Sequence, residues 1–122
     1  MATTQTVLSP ATGATVFVET ALGNSALTVK GSSGTVYGFD LDNTANAAVS
    51  YVKAYYTNGA VTVGTTVPDE VIAVPASVRI VVVPATNGKA FSSGLQVAAL
   101  TVGGTTGTTA PTSAFIARVV YA

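Results

Sequence analysis

The stretch TVYGFDLDNTANAAVSYVKAYY, residues 35–56, decides the fold. It holds two runs rich in β-branched and aromatic residues, TVYGFDL and AVSYVKAYY, which the turn-forming residues DNTAN separate. A period of two along each run is typical of a strand, whereas a helix requires apolar residues at i, i+3, i+4 and i+7. The stretch therefore predicts two strands joined by a turn.

Six further runs of the same kind occur along the chain, with turn-forming residues between them. Together the runs are TVFVET (15–20), ALTVK (26–30), TVYGFDL (35–41), AVSYVKAYY (48–56), EVIAV (70–74), SVRIVVV (77–83), LQVAALTV (95–102) and AFIARVVY (114–121). The five prolines lie between runs or at their edges, where a residue without a backbone N–H does not interrupt a ladder. About eight short strands at this spacing predict an all-β protein, an antiparallel β-sandwich resembling a jelly roll.

A length of 122 residues predicts a single domain. Residues 15–122 form the predicted β-sandwich, and residues 1–14, which are polar and interrupted by Pro and Gly, form a predicted extended N-terminal arm. Val7 and Leu8 are the only large aliphatic pair of this arm. We predict that they anchor the arm on a neighbouring molecule; the alternative is a free tail without a role.

The composition excludes several classes of function. The chain contains no His and no Cys, which excludes zinc sites built on those ligands, His-based acid/base catalysis and thiol nucleophiles. It has no basic run and no apolar stretch of about 18 residues, so neither nucleic acid nor a membrane is an expected partner. Charged residues make up only 8% of the chain and the net charge is zero, so little repulsion keeps molecules apart. This composition predicts self-association, with a trimer as the expected form.

Two aspartates lie one residue apart in FDLDNT, residues 39–44. This sequence resembles the nucleophile loop of phosphate-transferring enzymes of the haloacid-dehalogenase type. In such an enzyme Asp40 would attack phosphorus, Asp42 would act as general acid/base, and both would hold Mg²⁺. Such an enzyme also needs a parallel sheet with helical crossovers and further acidic residues from later loops, and the runs predict neither. We therefore expect that the protein is not an enzyme and that it binds no metal or cofactor. FDLDNT is interpreted as a strand end in which Asp42, Asn43 and Asn46 bond the local backbone.

Strand alternation also assigns the side chains of the two central runs to faces. In the first run, Tyr37, Phe39 and Leu41 are predicted to point inward and Asp40 to take a solvent-facing or rim position. In the second run, the predicted core-facing residues are Ala48, Val52, Ala54 and Tyr56. The predicted outward residues are Val49, Tyr51, Lys53 and Tyr55.

Tyr51, Lys53 and Tyr55 form a candidate partner interface on this outward face, because Tyr is enriched among interface anchors. The alternative is that the tyrosines pack across strands or cover the stem of the lysine. The two arginines predicted to lie within strands, Arg79 and Arg118, are interpreted as solvated or rim charges.

The order of these signals resembles a recurrent small β-domain in the virion proteins of tailed bacteriophages. That domain shows a Tyr-Gly strand, an Asn-x-Ala-Ala turn, a Tyr-Val-Lys strand, a Val-Gly-Thr-x-x-Pro-Asp-x-Val segment, a Val-Pro-Ala turn and a Gly-x-Ala-Phe-x-x-Gly-Leu segment. The matching positions are 37–38, 51–53, 63–71, 74–76 and 88–95, and at the place of the Asn-x-Ala-Ala turn this chain has the shorter Asn-Ala-Ala, residues 46–48. The resemblance extends over about residues 35–122.

This resemblance implies a non-enzymatic β-sandwich component of the virion, of the head decoration (cement) type, with no catalytic residues. Such proteins lie on capsomer junctions, often as homotrimers, so the implied partners are the major capsid protein and further copies of this chain, and the implied location is the capsid surface. A tail-fibre or adhesin-type module that recognises a host glycan or protein is the alternative. Carbohydrate platforms usually expose aromatic side chains, and this chain has no Trp, five Tyr and four Phe.

Overall fold

The computed structural model describes residues 13–122 of the chain, and the regular elements among them are all β-strands. They are β1 (Thr15–Glu19), β2 (Leu27–Lys30), β3 (Gly34–Asp42), β4 (Ser50–Tyr55), β5 (Glu70–Val74), β6 (Arg79–Val82), β7 (Lys89–Phe91), β8 (Leu95–Leu100) and β9 (Ile116–Tyr121). Among these described residues, no helix is long and apolar enough to cross a membrane. The all-β prediction is confirmed; β7 is an additional short strand in a stretch predicted to be a turn.

The strands form two antiparallel sheets. Sheet A has the order β1-β9-β3-β6, with β7 also pairing with β3, and sheet B has the order β2-β8-β4-β5. The chain crosses from one sheet to the other at most connections; only β4 to β5 and β6 to β7 remain within a sheet. Because β1 pairs with β9 and β2 with β8, the chain wraps around the sandwich in the manner of a jelly roll.

The hydrophobic core lies between the two sheets. Val36, Phe39 and Leu41 of β3 are completely buried there, and the facing strands of sheet B contribute Val52, Ala54, Val97 and Ala99. Burying a valine, leucine or phenylalanine side chain of this kind contributes about 1.5–3 kcal/mol each. The predicted core positions Val52 and Ala54 are confirmed, and Tyr56 packs against the core, half-buried. Ala48 was placed wrongly: it is exposed, because β4 begins only at Ser50.

An irregularity in β3 changes which side chains point inward. The register between β3 and β9 shifts between Val36 and Gly38, as in a β-bulge. Val36 therefore joins Phe39 in the core, whereas the prediction that Tyr37 points inward is wrong. Beyond the shift the alternation resumes, and Leu41 is buried as predicted.

The N-terminal prediction concerns residues that precede the described part of the chain. β1 begins at Thr15 and pairs along its whole length with β9, from Thr15 opposite Tyr121 to Glu19 opposite Ala117. The predicted anchors Val7 and Leu8 lie outside the described residues, and their role stays a prediction.

Candidate functional site

The two aspartates of FDLDNT are each held by donors of the chain itself. Asp42 Oδ1 accepts hydrogen bonds from the backbone N–H of Thr44 at 3.0 Å and from its Oγ1 at 2.6 Å. The hydroxyl of Thr44 is the main cause that lowers the pKa of Asp42 below its usual value, and the nearby Arg79 and Arg118 guanidinium groups add to it. This local turn is the predicted one, and it uses the carboxylate that phosphate transfer would need as acid and base.

Asp40 forms a bidentate ion pair on the outer face of sheet A. Arg79 donates from Nε to Oδ1 at 2.8 Å and from Nη2 to Oδ2 at 2.6 Å. Asp40 is only 7% exposed, so the prediction of a solvent-facing or rim position is wrong. The hydrogen bond to Asp40 raises the pKa of Arg79. Arg118 lies opposite Asp40 in the β3–β9 ladder, and its Nη1 is buried with no hydrogen-bond partner among the described residues.

The same turn carries a buried amide that joins distant segments. Asn43 Nδ2 lies within hydrogen-bonding distance of the carbonyl oxygens of Ala48, Val74 and Pro75 at 3.0–3.1 Å, and its Oδ1 accepts from the Ser50 hydroxyl at 2.9 Å. The prediction that Asn43 bonds the local backbone is thus confirmed for Ala48, but the bonds to the β5 end were not foreseen.

Asn46 extends these connections to the segment before β9. Its Oδ1 accepts from the backbone N–H of Ser113 at 2.8 Å, and its carbonyl accepts from the backbone N–H of Ser77 at 2.9 Å. Ser77 has a φ of 61°, a left-handed conformation that is unfavourable for a residue with a side chain. The hydrogen bond from Ser77 to Asn46 helps to hold that conformation. The DNTAN turn is therefore hydrogen-bonded to two other loops, the one between β5 and β6 and the one between β8 and β9.

The predicted interface of Tyr51, Lys53 and Tyr55 lies on the outer face of sheet B, and loops of the chain cover it. Lys53 is 0% and Tyr55 1% exposed, whereas Tyr51 is partly exposed. Val61 and Val63, from the loop between β4 and β5, pack against a cluster of Tyr55, Ala98 and Leu100. The three side chains point outward from sheet B, as predicted. The expectation of an exposed patch is wrong, because the loop residues pack on this outer face and form a second, smaller hydrophobic core there.

The loop of residues 101–113 covers the remainder of this face. The Nζ of Lys53 donates to the carbonyl oxygen of Thr106 at 2.9 Å and to that of Thr105 at 3.4 Å. Gly103 lies over the ring of Tyr51, where a Cβ would come within 3.1 Å of the ring carbons. Burial lowers the pKa of Lys53, because desolvation disfavours the ammonium ion. Lys53 thus holds a polar, Gly- and Thr-rich loop on sheet B through hydrogen bonds to the carbonyl oxygens of that loop.

A second titratable group lies at the end of β4. The Tyr56 hydroxyl donates to Glu70, and the Asp69 carboxylate accepts from the Tyr56 backbone N–H at 2.7 Å. The Tyr56 ring stacks with Phe91 at 6.1 Å, and the Lys89 ammonium lies 5.3 Å from the ring centroid. Burial, followed by the hydrogen bond and charge of Glu70, raises the pKa of Tyr56 far above its usual value.

Four exposed valines lie at the two edges of the outer face of sheet A. We call Val16 and Val18 of β1, with Val81 of β6 and the adjoining Val83, the valine edges; they are 47%, 51%, 57% and 59% exposed. Their neighbours Phe17, Ile80 and Val82 point the other way and pack against the core. Sequence reasoning missed these positions, although valines at alternate positions flanking inward residues in TVFVE and RIVVV are the available signal.

Other parts of the described chain offer little chemistry for a small ligand. A shallow groove of about 260 Å³ lies between residues 21–23 and 110–115, where Leu22 and Phe115 are the only large side chains among its lining residues. Within residues 13–122, no group of three or more His, Cys, Asp or Glu side chains is placed to hold a metal ion. The exposed aliphatic edges are therefore the candidate functional surface.

Comparison with known proteins adds no relative. No family model matches the chain, and neither a curated protein nor a solved structure matches it.

Proposed function

We propose that this protein is a non-enzymatic structural component of a bacteriophage virion, a capsid decoration (cement) protein that binds the lattice of the major capsid protein and stabilises the head. The order of sequence signals across residues 35–122 led to this hypothesis. The observation that carries it in the structure is the outer face of sheet A, whose exposed valines offer apolar surface for burial against another protein.

The contrast between the two broad faces supports a role in contact rather than catalysis. Loops 56–69 and 101–113 close the outer face of sheet B over Lys53 and Tyr55. On the outer face of sheet A, Asp40 and Val120 are buried at the centre, the charges of Asp40 and Arg79 neutralise each other, and the valine edges remain exposed. A neutral, partly aliphatic sheet face loses little charge hydration when it docks onto another protein. A decoration protein needs one such face for the shell.

The copy number on purified particles of the phage that encodes this chain tests the proposal. A decoration protein occupies every equivalent position of the capsid lattice, so we expect a copy number in fixed proportion to the major capsid protein, measured by quantitative mass spectrometry. Labelled protein should also bind capsids that have no tails. A few copies per particle, found only in the tail fraction, would instead support the tail-fibre or adhesin-type module.

A further inference from the structure

The valine edges belong to the two strands that end sheet A. β1 pairs only with β9, and β6 pairs only with β3, among the strands of residues 13–122. Each strand thus has one side whose backbone N–H and C=O groups have no ladder partner in the described structure. Exposed edges of this kind are usually blunted by lysines, prolines or bulges. Here β1 contains TVFVE and β6 contains RIVV, and neither contains lysine or proline.

The two edges are complementary in direction. Sheet A is antiparallel throughout, so β1 and β3 run one way and β9 and β6 run the other. When two copies lie side by side in the same orientation, β6 of one copy is therefore antiparallel to β1 of the next. The same geometry leaves both outer faces on one side, because each strand directs its exposed valines to that face.

The rows of side chains across sheet A indicate the register. Val18 lies opposite Arg118, Arg118 opposite Asp40, and Asp40 opposite Val81. Extending this row into a neighbouring copy places Val81 opposite the neighbour's Val18 and Val83 opposite its Val16. Cross-strand pairs of β-branched residues stabilise such a ladder. Each edge strand carries a single charge, Glu19 on β1 and Arg79 on β6, so like charges do not meet across the junction.

We propose that copies of this chain associate edge to edge, with β6 of one copy adding to β1 of the next as an antiparallel strand. We identify the partner as a second copy of this chain because the β6 edge matches the β1 edge in three respects. The two strands run antiparallel, their exposed valines lie on the same face, and their single charges have opposite sign. Unlike edges that meet head to tail generate a closed ring when the rotation between copies closes. This pairing is a property of the purified protein alone and does not depend on the virion role.

Cysteine cross-linking tests the pairing directly, because the chain contains no natural cysteine. Residues opposite each other on paired strands have Cβ atoms about 4.5–5.5 Å apart, close enough for a disulfide after small adjustment. A mixture of V18C and V81C should give a cross-linked dimer under mild oxidation, whereas each variant alone should give none above background. V18C mixed with V71C is the matched control, since Val71 is an exposed valine on β5 of sheet B.

The outcomes separate the possibilities. Cross-linking of V18C with V81C supports the proposal when peptide mass spectrometry identifies a disulfide between positions 18 and 81. Cross-linking of V81C with itself to the same extent would show symmetric pairing of like edges and overturn it, and so would a mixture that yields no more product than the V71C control.

A substitution that charges the edge provides the second measurement. We expect the wild-type protein to show an oligomer peak in light scattering at tens of micromolar, V81K to lose this peak and V71K to retain it. Circular dichroism verifies that both variants remain folded. A wild-type protein that is monomeric under these conditions, or a V81K variant that assembles like V71K, would contradict the inference. Neither of these two results bears on the proposed function, because binding of the protein to particles is measured separately.

Discussion

The side chain of Asn43 joins the β3–β4 turn to the end of β5 through one buried amide. Replacing it with Ala leaves the Val74 carbonyl and the Ser50 hydroxyl without their partner in a site that excludes water. Because an unsatisfied buried polar group costs about 1–3 kcal/mol, we expect N43A to lower the free energy of unfolding by about 2–4 kcal/mol. Urea unfolding followed by circular dichroism measures it. The exposed Asn87 provides the control, and N87A should change stability by less than about 0.5 kcal/mol.

The contrast between Asp42 and Asn43 shows what residue patterns can predict. The bond from Asp42 to Thr44 spans two residues, so the local sequence alone predicts it. Asn43 bonds Val74, 31 residues away, and that contact depends on how the two sheets meet. Polar residues in a turn therefore predict local bonds well, whereas their burial and distant partners follow only from the assembled fold.

Tyr56 makes stability depend on pH in the alkaline range. Its pKa is raised above the ordinary value of 10.0, so the folded protein keeps the hydroxyl proton where the unfolded chain releases it. A raised pKa stabilises the fold fully below the unfolded pKa, and this stabilisation is lost as pH rises above it. We therefore expect the free energy of unfolding to fall above pH 10 with a slope that is up to about 1.4 kcal/mol per pH unit steeper in the wild type than in Y56F.

The measurement is a urea titration of both proteins at pH 8 and at several values above 10. Y56F should be the less stable protein at pH 8, because it lacks the hydrogen bond to Glu70. The difference should narrow as the pH rises. A constant difference across the range would show that Tyr56 does not retain its proton in the folded protein.

At the scale of elements, loop 101–113 is held on sheet B by Lys53. K53M keeps most of the apolar stem and removes the ammonium group, so the Thr105 and Thr106 carbonyls lose their donor. We expect limited proteolysis within the loop to become several-fold faster. Global stability should change by less than about 1 kcal/mol, because removing a buried charge also removes its desolvation cost.

A matched substitution isolates the position of the lysine. K89M removes an ammonium group that lies over the Tyr56 ring, away from this loop, and should leave cleavage of residues 101–113 unchanged. Equal cleavage of the K53M and wild-type loops would mean that packing of Gly103 on Tyr51 is sufficient to hold the loop.

The strands were largely predictable, and their surroundings were not. Period-two runs with turn residues between them located every strand except β7, whose three residues are too few to show a pattern and which forms by pairing with β3. Alternation also gave the correct face for Lys53. It could not reveal that a loop about 50 residues later covers that face, since a strand pattern reports orientation and not what lies beyond. The exposed valine edges were missed for the same reason.

The N-terminal segment gives a prediction at this scale. Residues 2–12 precede β1, and every contact of the sandwich described above lies within residues 13–122. We predict that deleting residues 2–12 leaves the melting temperature of the purified domain within about 2 °C of the wild type, because chain termini seldom belong to the packed core. The deletion should weaken attachment to particles, because it removes the predicted anchors Val7 and Leu8. Calorimetry and a particle-binding titration measure the two effects. If the truncated protein attaches as tightly as the full chain, this segment has no role in attachment.

For the whole molecule, the proposed function predicts a thermodynamic effect on the shell. A protein that binds the assembled lattice and not the dissociated subunits stabilises the lattice by about 2.7 kcal/mol per site when its concentration is one hundred times its Kd. Particles that lack this protein should release their genome at a lower temperature, and adding the purified protein back should restore the wild-type value in a concentration-dependent manner. A dye that reports free nucleic acid during heating measures the release. An unrelated β-sandwich of similar size is the control and should have no effect.

The pairing of β1 with β9 also determines when the protein can fold. The first strand has only the last strand as its partner among the described residues, and Thr15 lies opposite Tyr121. During synthesis, β1 must therefore wait until almost the whole chain has left the ribosome, and its apolar residues stay uncovered for that time. At about 5–20 residues per second, the interval between synthesis of the two strands lasts several seconds. Pairings between distant segments also slow folding itself. We expect nascent chains of this protein to depend on chaperones that shield exposed strands until the final one emerges.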